Sequence, residues 1–406
     1  MPLLDQYIPI IGNNVINELQ MLGERLRGKV IRNINSTAVG GGVAEILSRM
    51  IPFFKELGID ARWDVIKGDE EFFIVTKKIH NALHGTKSVF TTRDFEVYYE
   101  TQKRNAGEMD LSGDIVFIHD PQPAGLILEK NKHQNHWLWR CHVDVSNPQL
   151  EIWQFLKPMV EQFEAAVFSA PSFAQRLDIR QVLIAPSIDP LSDKNRELSK
   201  EEVSNIVTQF SIDPKRPLVT QVSRFDRLKD PVGVIEAYKM AKKRVDCQLL
   251  LVGGSAADDP EAVQVLAEAR EAAGVDPDIH ILELPPTSNI EINALQRAST
   301  IILQKSLKEG FGLTVSEALW KAKPVIAGSV GGIPLQITHK YSGILTLSIE
   351  GTAYWIKQLL QEPGYAQKLG ENGREHVRQN FLLTRHLRDY LLTFLSVGHT
   401  EDIIYV

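Results

Sequence analysis

The most informative segment of this 406-residue chain reads KSLKEGFGLTVSEA, at residues 305–318. It follows a short apolar run that is typical of a buried strand, and it leads into a helical period. Gly310 and Gly312 lack Cβ atoms, so the first N–H groups of the helix could approach a phosphate closely. Glu309 lies on the loop and Glu317 about one turn into the helix, so the two carboxylates could contact different parts of one long ligand. Capping by Glu309 and solvation of Glu317 would leave the glycine pair unexplained.

The rest of the chain repeats the same order of strand and helix. Short apolar or β-branched runs alternate with helical periods, which indicates parallel sheets with crossover helices. The predicted strands are 29–35, 61–66, 114–118, 137–141, 165–169 and 181–185 in the first half, and 217–222, 247–252, 279–282, 300–303 and 324–327 in the second. We therefore expect an α/β protein with two doubly wound, Rossmann-like domains.

The boundary between these domains is predicted in the segment PSIDPLSDK, residues 186–194. Its prolines exclude a regular helix or a central strand, and its polar residues suit an exposed connection. The first domain would span 1–188 and the second 189–379. From about residue 380 to 406 the chain is helical by period, and we expect this terminal helix to complete the first domain.

Composition excludes several classes of protein. Hydrophobic residues make up 43% and charged residues 24% of the chain, which is close to the average of globular proteins. The net charge of -6 provides no basic field for nucleic acid or an anionic membrane. Cys141 and Cys247 have no metal-ligand spacing, and we expect reduced core thiols in a cytoplasmic protein.

A second candidate segment follows the first predicted strand of the second domain. In open α/β sheets, ligands bind at the carboxyl ends of strands. Arg224 and Lys229 lie there on one loop, so they could hold a diphosphate from two sides. The alternative is a solvated loop whose cations are neutralised by Asp226 and Asp230.

The first domain offers two further groups of residues. Gly41 and Gly42 end a run of three glycines at the start of a helix, where amides could meet an anion, although a tight strand-to-helix turn would also need glycine. His119, His142 and Asp144 come at or just after the ends of predicted strands. Imidazole can donate to a sugar hydroxyl or move a proton, and a structural histidine is the alternative.

The order of Arg224, Lys229, Glu309 and Glu317, with the last two in an EGFGLT segment, resembles the signature of retaining glycosyltransferases with the GT-B fold. In that fold two Rossmann-like domains face a cleft. Within this superfamily the chain resembles the trehalose glycosyltransferring synthases. The similar segments are 35–46, 80–85, 119–123, 137–146, 186–195, 220–229, 258–261 and 293–328.

The resemblance implies a reaction and a set of roles. Glucose would pass from a nucleoside-diphosphate glucose to free glucose, with retention, to give trehalose. The implied catalytic residues are Glu309, Lys229, Arg224 and His119, and the implied substrate-binding residues are Gly41, Gly42, His142, Asp144, Phe311, Gly312, Leu313 and Glu317. Lys229 and Arg224 would bind the diphosphate, while Glu309 would hold hydroxyls of the transferred sugar. Glu317 would accept from the ribose, and the histidines would contact the donor sugar or the acceptor.

No metal or other cofactor is required by this scheme, since the cations do what a metal ion would do, although Mg²⁺ could stimulate the reaction. The expected partners are a nucleotide sugar and a small sugar, without nucleic acid or membrane, and a homodimer stays open. The donor base is also open. Alternatives are another acceptor (glycerate, fructose or a glucan), a nucleotide-sugar epimerase, or a binder without activity.

Overall fold

The computed structural model describes residues 3–38, 42–254 and 260–398. The chain forms two compact units. The first unit comprises Met1–Ala185 together with Thr384–Val406, and the second comprises Pro186–Leu383.

The first unit is built on a parallel sheet in which six strands are described. The strands are β1 Val30–Asn35, β2 Asp60–Val65, β3 Ile115–His119, β4 His136–Cys141, β5 Ala165–Phe168 and β6 Arg180–Leu183. They lie in the order β2-β1-β3-β4-β5-β6. Every described residue of β3 and β5 is buried, because crossover helices cover both faces of a parallel sheet. The helices are α1 Ile8–Ile11, α2 Asn13–Arg25, α3 Gly42–Glu56, α4 Glu70–Leu83, α5 Thr92–Glu108 and α6 Leu150–Val160.

The second unit repeats this architecture. Its described strands are β7 Leu218–Val222, β8 Gln248–Gly253, β9 Ile279–Glu283, β10 Ile301–Gln304, β11 Val325–Gly328 and β12 Ile344–Thr346. They form a parallel sheet in the order β12-β11-β10-β7-β8-β9. The helices are α7 Lys200–Val207, α8 Pro231–Lys242, α9 Pro260–Ala273, α10 Asn289–Ala298, α11 Leu313–Trp320, α12 Ile333–Gln336, α13 Ile349–Gln361 and α14 Pro363–Asn380.

The last helix, α15 Leu383–Gly398, packs in the first unit. The ring of Phe394 lies 5.8 Å from that of Phe54 and 5.5 Å from that of Phe117. Arg388 forms an ion pair with Glu18 at 2.6 Å. The helix therefore covers one face of the first sheet, far from its neighbours in sequence.

The predicted fold class is confirmed, since both sheets are parallel, doubly wound and flanked by helices. The strand β12 was not predicted, because three residues are too few to show a period. Cys141 and Cys247 are free thiols and both are buried, as expected. Across the described ranges, no helix combines the length and the apolar character that a membrane crossing needs.

Each sheet has one point where the direction of strand addition reverses. In the first sheet this switch point lies between β1 and β3, and in the second between β7 and β10. The loops that leave neighbouring strands there diverge to opposite faces, which opens a crevice at the carboxyl ends of the strands where ligands of such sheets bind. These two edges are therefore where functional side chains are to be sought.

Candidate active site

The switch point of the second sheet brings two of the predicted residues into direct contact. Lys229 lies on the 3-10 turn Arg227–Lys229 after β7, and Glu309 lies on the loop after β10. The Lys229 Nζ is 2.6 Å from Oε2 of Glu309, and only 17% and 10% of these side chains are exposed. The lysine and the glutamate thus form one partly buried ion pair.

The ion pair is held by polar residues at the ends of the strands. The Oε2 atom of Glu309 also accepts from Ser306 Oγ at 3.1 Å and lies 3.4 Å from Nε2 of Gln304. The side chain of Gln221 links the two loops, because it donates to the Lys229 carbonyl and accepts from the Lys305 amide. A fixed network of this kind holds the charged groups in place before any ligand arrives.

Arg224, by contrast, extends into solvent. Its side chain is 70% exposed and lies 3.3 Å from the Asp226 carboxylate. Asp226 also caps the following turn through the Leu228 amide. The expected neutralisation by acidic neighbours is therefore present in the structure for Arg224, and Asp230 contacts Lys305 instead.

The glycine loop before α11 presents backbone groups. Gly312 adopts a left-handed φ of 79°, and no side chain caps the helix that starts at Leu313. Amides at such a helix start carry partial positive charge and can bind phosphate. The ring of Phe311 packs on Phe381, with centroids 5.5 Å apart, and the predicted contact of Phe311 with a substrate stays a prediction.

Gly331 and Gln336 pack against the backbone of this loop. A Cβ on Gly331 would lie 1.5 Å from the Glu309 carbonyl oxygen, so only glycine permits this approach. The buried side chain of Gln336 donates to the Phe311 carbonyl at 2.5 Å. Glu317, one turn into α11, is only 5% exposed, and its predicted contact with a ribose stays a prediction.

The switch point of the first sheet brings together the two predicted histidines. His119 ends β3, and its Nδ1 lies 3.2 Å from Nε2 of His142, which follows β4. The Nε2 of His119 lies 3.2 Å from Oδ1 of Asn33 on β1. His119 is only 1% exposed, whereas His142 is half-buried. Of the two rings, His142 is therefore the more accessible, and the predicted contacts of both histidines with a substrate stay predictions.

Burial controls the protonation of this edge. It lowers the pKa of His119 to about 3 and that of His142 well below its usual value, and the charge of Arg140 acts in the same direction. It also raises the pKa of Asp120 to about 7. Asp120 Oδ1 accepts from the His142 amide at 2.7 Å. Both imidazoles are thus neutral near pH 7.

The remaining predicted residues lie apart from these contacts. Asp144 accepts from the Ser146 amide at 2.9 Å within its own turn. Gly42 begins α3, and Gly41 lies outside the described residues. No cluster of three or more metal-ligating side chains occurs in the described part of the chain.

Sequence reasoning missed Asn33, Gln221, Gln304 and Gln336. Three of them share a signal, since each is a polar residue in the carboxyl-terminal half of a largely buried strand. Side chains at that position point to the ligand edge of a parallel sheet or support the loops there. Gln336 carries no such signal, because it lies at the end of a short helix.

Comparison with known proteins identifies the family of this chain. Residues 33–175 match the family model "Trehalose synthase, N-terminal domain", and residues 203–376 match "Glycosyl transferases group 1". The trehalose synthase of Thermococcus litoralis is 45% identical over 96% of this chain and 95% of that protein. That of Rubrobacter xylanophilus is 45% identical over 97% of each. A trehalose phosphorylase of Grifola frondosa is 31% identical over 84% of this chain and 53% of its own length.

Solved structures agree on the fold. A sucrose-phosphate synthase of Thermosynechococcus elongatus superposes with a TM-score of 0.72 at 17% identity, covering 92% of this chain and 100% of that one. An Anabaena protein solved in complex with UDP-glucose gives 0.67 at 16% identity, covering 91% and 100%. Fold and family models together define a glycosyltransferase with the GT-B fold. More particularly, the chain belongs to the trehalose synthase family.

Proposed function

We propose that this chain transfers glucose from a nucleoside-diphosphate glucose to free glucose and forms trehalose with retention at the anomeric carbon. The observation that carries the proposal is the ion pair of Lys229 and Glu309 at the second switch point, beside the uncapped start of α11. The family supports the sugar product, since relatives at 45% identity are trehalose synthases.

In this proposal the diphosphate of the donor binds at the second switch point. It meets Nζ of Lys229, the guanidinium of Arg224 and the amides at the start of α11. Negative charge grows on the diphosphate as the glycosidic bond breaks, so cations already in place lower the barrier. Lys229 is then shared between phosphate and Glu309, and the Glu309 carboxylate accepts from hydroxyls of the glucosyl unit.

The acceptor hydroxyl attacks on the face that the leaving group vacates, and a phosphate oxygen takes its proton. Neither Glu309 nor Glu317 acts as a glycosidase-type nucleophile in this scheme. His142 contacts a sugar hydroxyl in the first unit. The scheme needs no metal ion, because Lys229 and Arg224 supply the charge that a metal would supply.

The test is a panel of donors and acceptors with the purified protein. Glucose nucleotides of uridine, adenosine and guanosine are each incubated with glucose, fructose, glycerate or a glucan. We expect nucleoside diphosphate and trehalose in equal amounts, only when glucose is present, with both anomeric centres in the α configuration by proton NMR.

Other outcomes would identify another function. An epimerase would convert the nucleotide sugar without an acceptor and would release no diphosphate. Product formed with fructose, glycerate or glucan, but not with glucose, would show that the proposed acceptor is wrong. Trehalose formed from a glucose phosphate, but from none of the glucose nucleotides, would show that the proposed donor is wrong and would favour a phosphorylase.

A further inference from the structure

A row of three side chains crosses the carboxyl edge of the first sheet. Asn33 on β1, His119 on β3 and His142 after β4 come from adjacent strands, and each contacts the next at 3.2 Å. Asn33 and His119 are almost fully buried, at 1% exposure each. Only His142, at the end of the row, reaches the surface.

The orientation of the Asn33 amide is set at the buried end. Its Nδ2 donates to the Arg62 carbonyl at 3.4 Å, and a carbonyl can only accept. The other atom of the amide, Oδ1, therefore points at His119. Since Oδ1 also only accepts, the atom that faces it, Nε2 of His119, must carry the proton.

This constraint passes along the row. A neutral imidazole has one protonated and one bare nitrogen, and burial beside Arg140 keeps both rings neutral. Because Nε2 of His119 is protonated, its Nδ1 is bare and accepts from Nε2 of His142. The proton of His142 is thus on Nε2, which leaves a lone pair on its Nδ1.

We infer that Asn33 and His119 are positioning residues that fix the tautomer of His142, so that His142 Nδ1 serves as a hydrogen-bond acceptor for a ligand. The group recognised there must then be a donor, such as a sugar hydroxyl, and cannot be a phosphate or carboxylate oxygen. The identity of this ligand as a sugar rests on the proposed function, but the tautomer does not.

His142 is held in place independently of the row. Its amide donates to Asp120 Oδ1 at 2.7 Å, and the Asp120 amide donates to the Arg140 carbonyl at 2.7 Å. Asp120 has a left-handed φ of 68°. Substitution of Asn33 or His119 can therefore change the tautomer of His142 while its backbone stays anchored.

The tautomer is measured on the free protein by long-range proton–nitrogen NMR with ¹⁵N-labelled histidine at neutral pH. The His142 signals are assigned by their loss in His142→Asn. We expect a protonated Nε2 and a bare Nδ1 at both His119 and His142. A protonated Nδ1 on His142 in the unmodified protein would overturn the inference without any variant.

Two matched pairs test which residues set the tautomer. His119→Phe keeps a ring but offers no acceptor, so His142 should become a mixture of tautomers. His119→Asn offers Oδ1 near the position of Nδ1 and should restore one tautomer. Likewise Asn33→Leu should leave His142 as a mixture of tautomers, whereas Asn33→Gln keeps a neutral accepting oxygen. An unchanged His142 tautomer in His119→Phe would refute the relay.

Kinetics then test whether the ligand donates a hydrogen bond to His142. In the unmodified protein, the hydroxyls of the donor sugar and of the acceptor are replaced by fluorine one at a time. Loss of the hydroxyl that His142 contacts should raise KM for that substrate about three- to tenfold, the range of one lost neutral hydrogen bond, because fluorine cannot donate. His119→Phe should raise the same KM by a similar factor, and His119→Asn should recover most of it. A normal tautomer without any transferase activity would refute the proposed function alone, whereas activity with the opposite tautomer would refute this inference alone.

Discussion

Lys229 and Glu309 are 80 positions apart in sequence, yet their charged atoms are 2.6 Å apart. If Lys229 stabilises the leaving diphosphate, Lys229→Ala should lower turnover by a factor of ~100 or more, as removal of a preorganised charge does. Steady-state kinetics on folded protein measures this. Arg227→Ala is the matched control, since Arg227 lies on the same turn but pairs with Glu268 at 2.7 Å. Turnover near normal in Lys229→Ala would exclude the proposed role.

Substitution of Glu309 should affect glucosyl transfer and nucleotide binding to different extents. Glu309→Gln removes the charge but keeps the shape, so it should reduce transfer more than it reduces affinity for the free nucleoside diphosphate, which has no sugar to hold. Calorimetry gives the affinity and kinetics gives the transfer rate. Equal losses in both would count against a role for Glu309 on the transferred sugar.

The sequence identified these two residues but not their contact. Each follows a recognisable strand. Because ligands of open parallel sheets bind at the carboxyl ends of the strands, both loops are predicted to contact a ligand. That β7 and β10 are neighbours depends on the strand order, which the local pattern does not contain. The row from Asn33 to His142 was missed for the same reason, because it exists only once β1, β3 and β4 are aligned.

The loop between β11 and α12 supports Glu309 through its backbone. Gly331 has a φ of 54°, and an added Cβ would collide with the Glu309 carbonyl at 1.5 Å. Gly331→Ala should therefore displace the Glu309 loop, lower transfer at least tenfold, and lower the thermal midpoint, since both the strain and the clash must be relieved.

Gly364→Ala is the matched control for this loop. Gly364 lies in the first turn of α14, and an added Cβ there meets no atom within 4 Å. In a helix the same substitution stabilises by about 0.4–1 kcal/mol. Differential scanning calorimetry measures the thermal midpoint of both variants, and kinetics measures their transfer rates. Full activity in Gly331→Ala would show that Glu309 does not depend on this backbone contact.

Most strand boundaries were predictable, because buried parallel strands are short apolar runs that glycine, proline or polar residues interrupt. The strand β12, Ile344–Thr346, was not, since it is a strand only through its pairing with β11. Helix α15 was predicted from its period. Its place in the first unit is fixed by contacts that are distant in sequence, such as the ion pair of Arg388 with Glu18.

The return of the chain to the first unit makes that unit depend on its last helix. Phe394 is 1% exposed, and its ring contacts the rings of Phe54, Phe117 and Tyr390. Phe117 lies on β3, two residues before His119. The side chain of Phe394 therefore supports the strand that carries the histidine row.

Phe394→Ala should destabilise the first unit by about 3–5 kcal/mol, the usual cost of a large cavity in a core. Hydrogen exchange with mass spectrometry localises the effect, and we expect faster exchange in peptides from β1, β3 and α3, with β7 and β10 unchanged. Phe73→Ala removes the same atoms from a side chain that is 41% exposed, and exposed sites rarely change stability by more than about 0.5 kcal/mol. Exchange that rises equally in β7 and β10 would mean that α15 stabilises the whole chain, whereas no change in β3 would mean that the cavity is tolerated and that the histidine row does not rest on this helix.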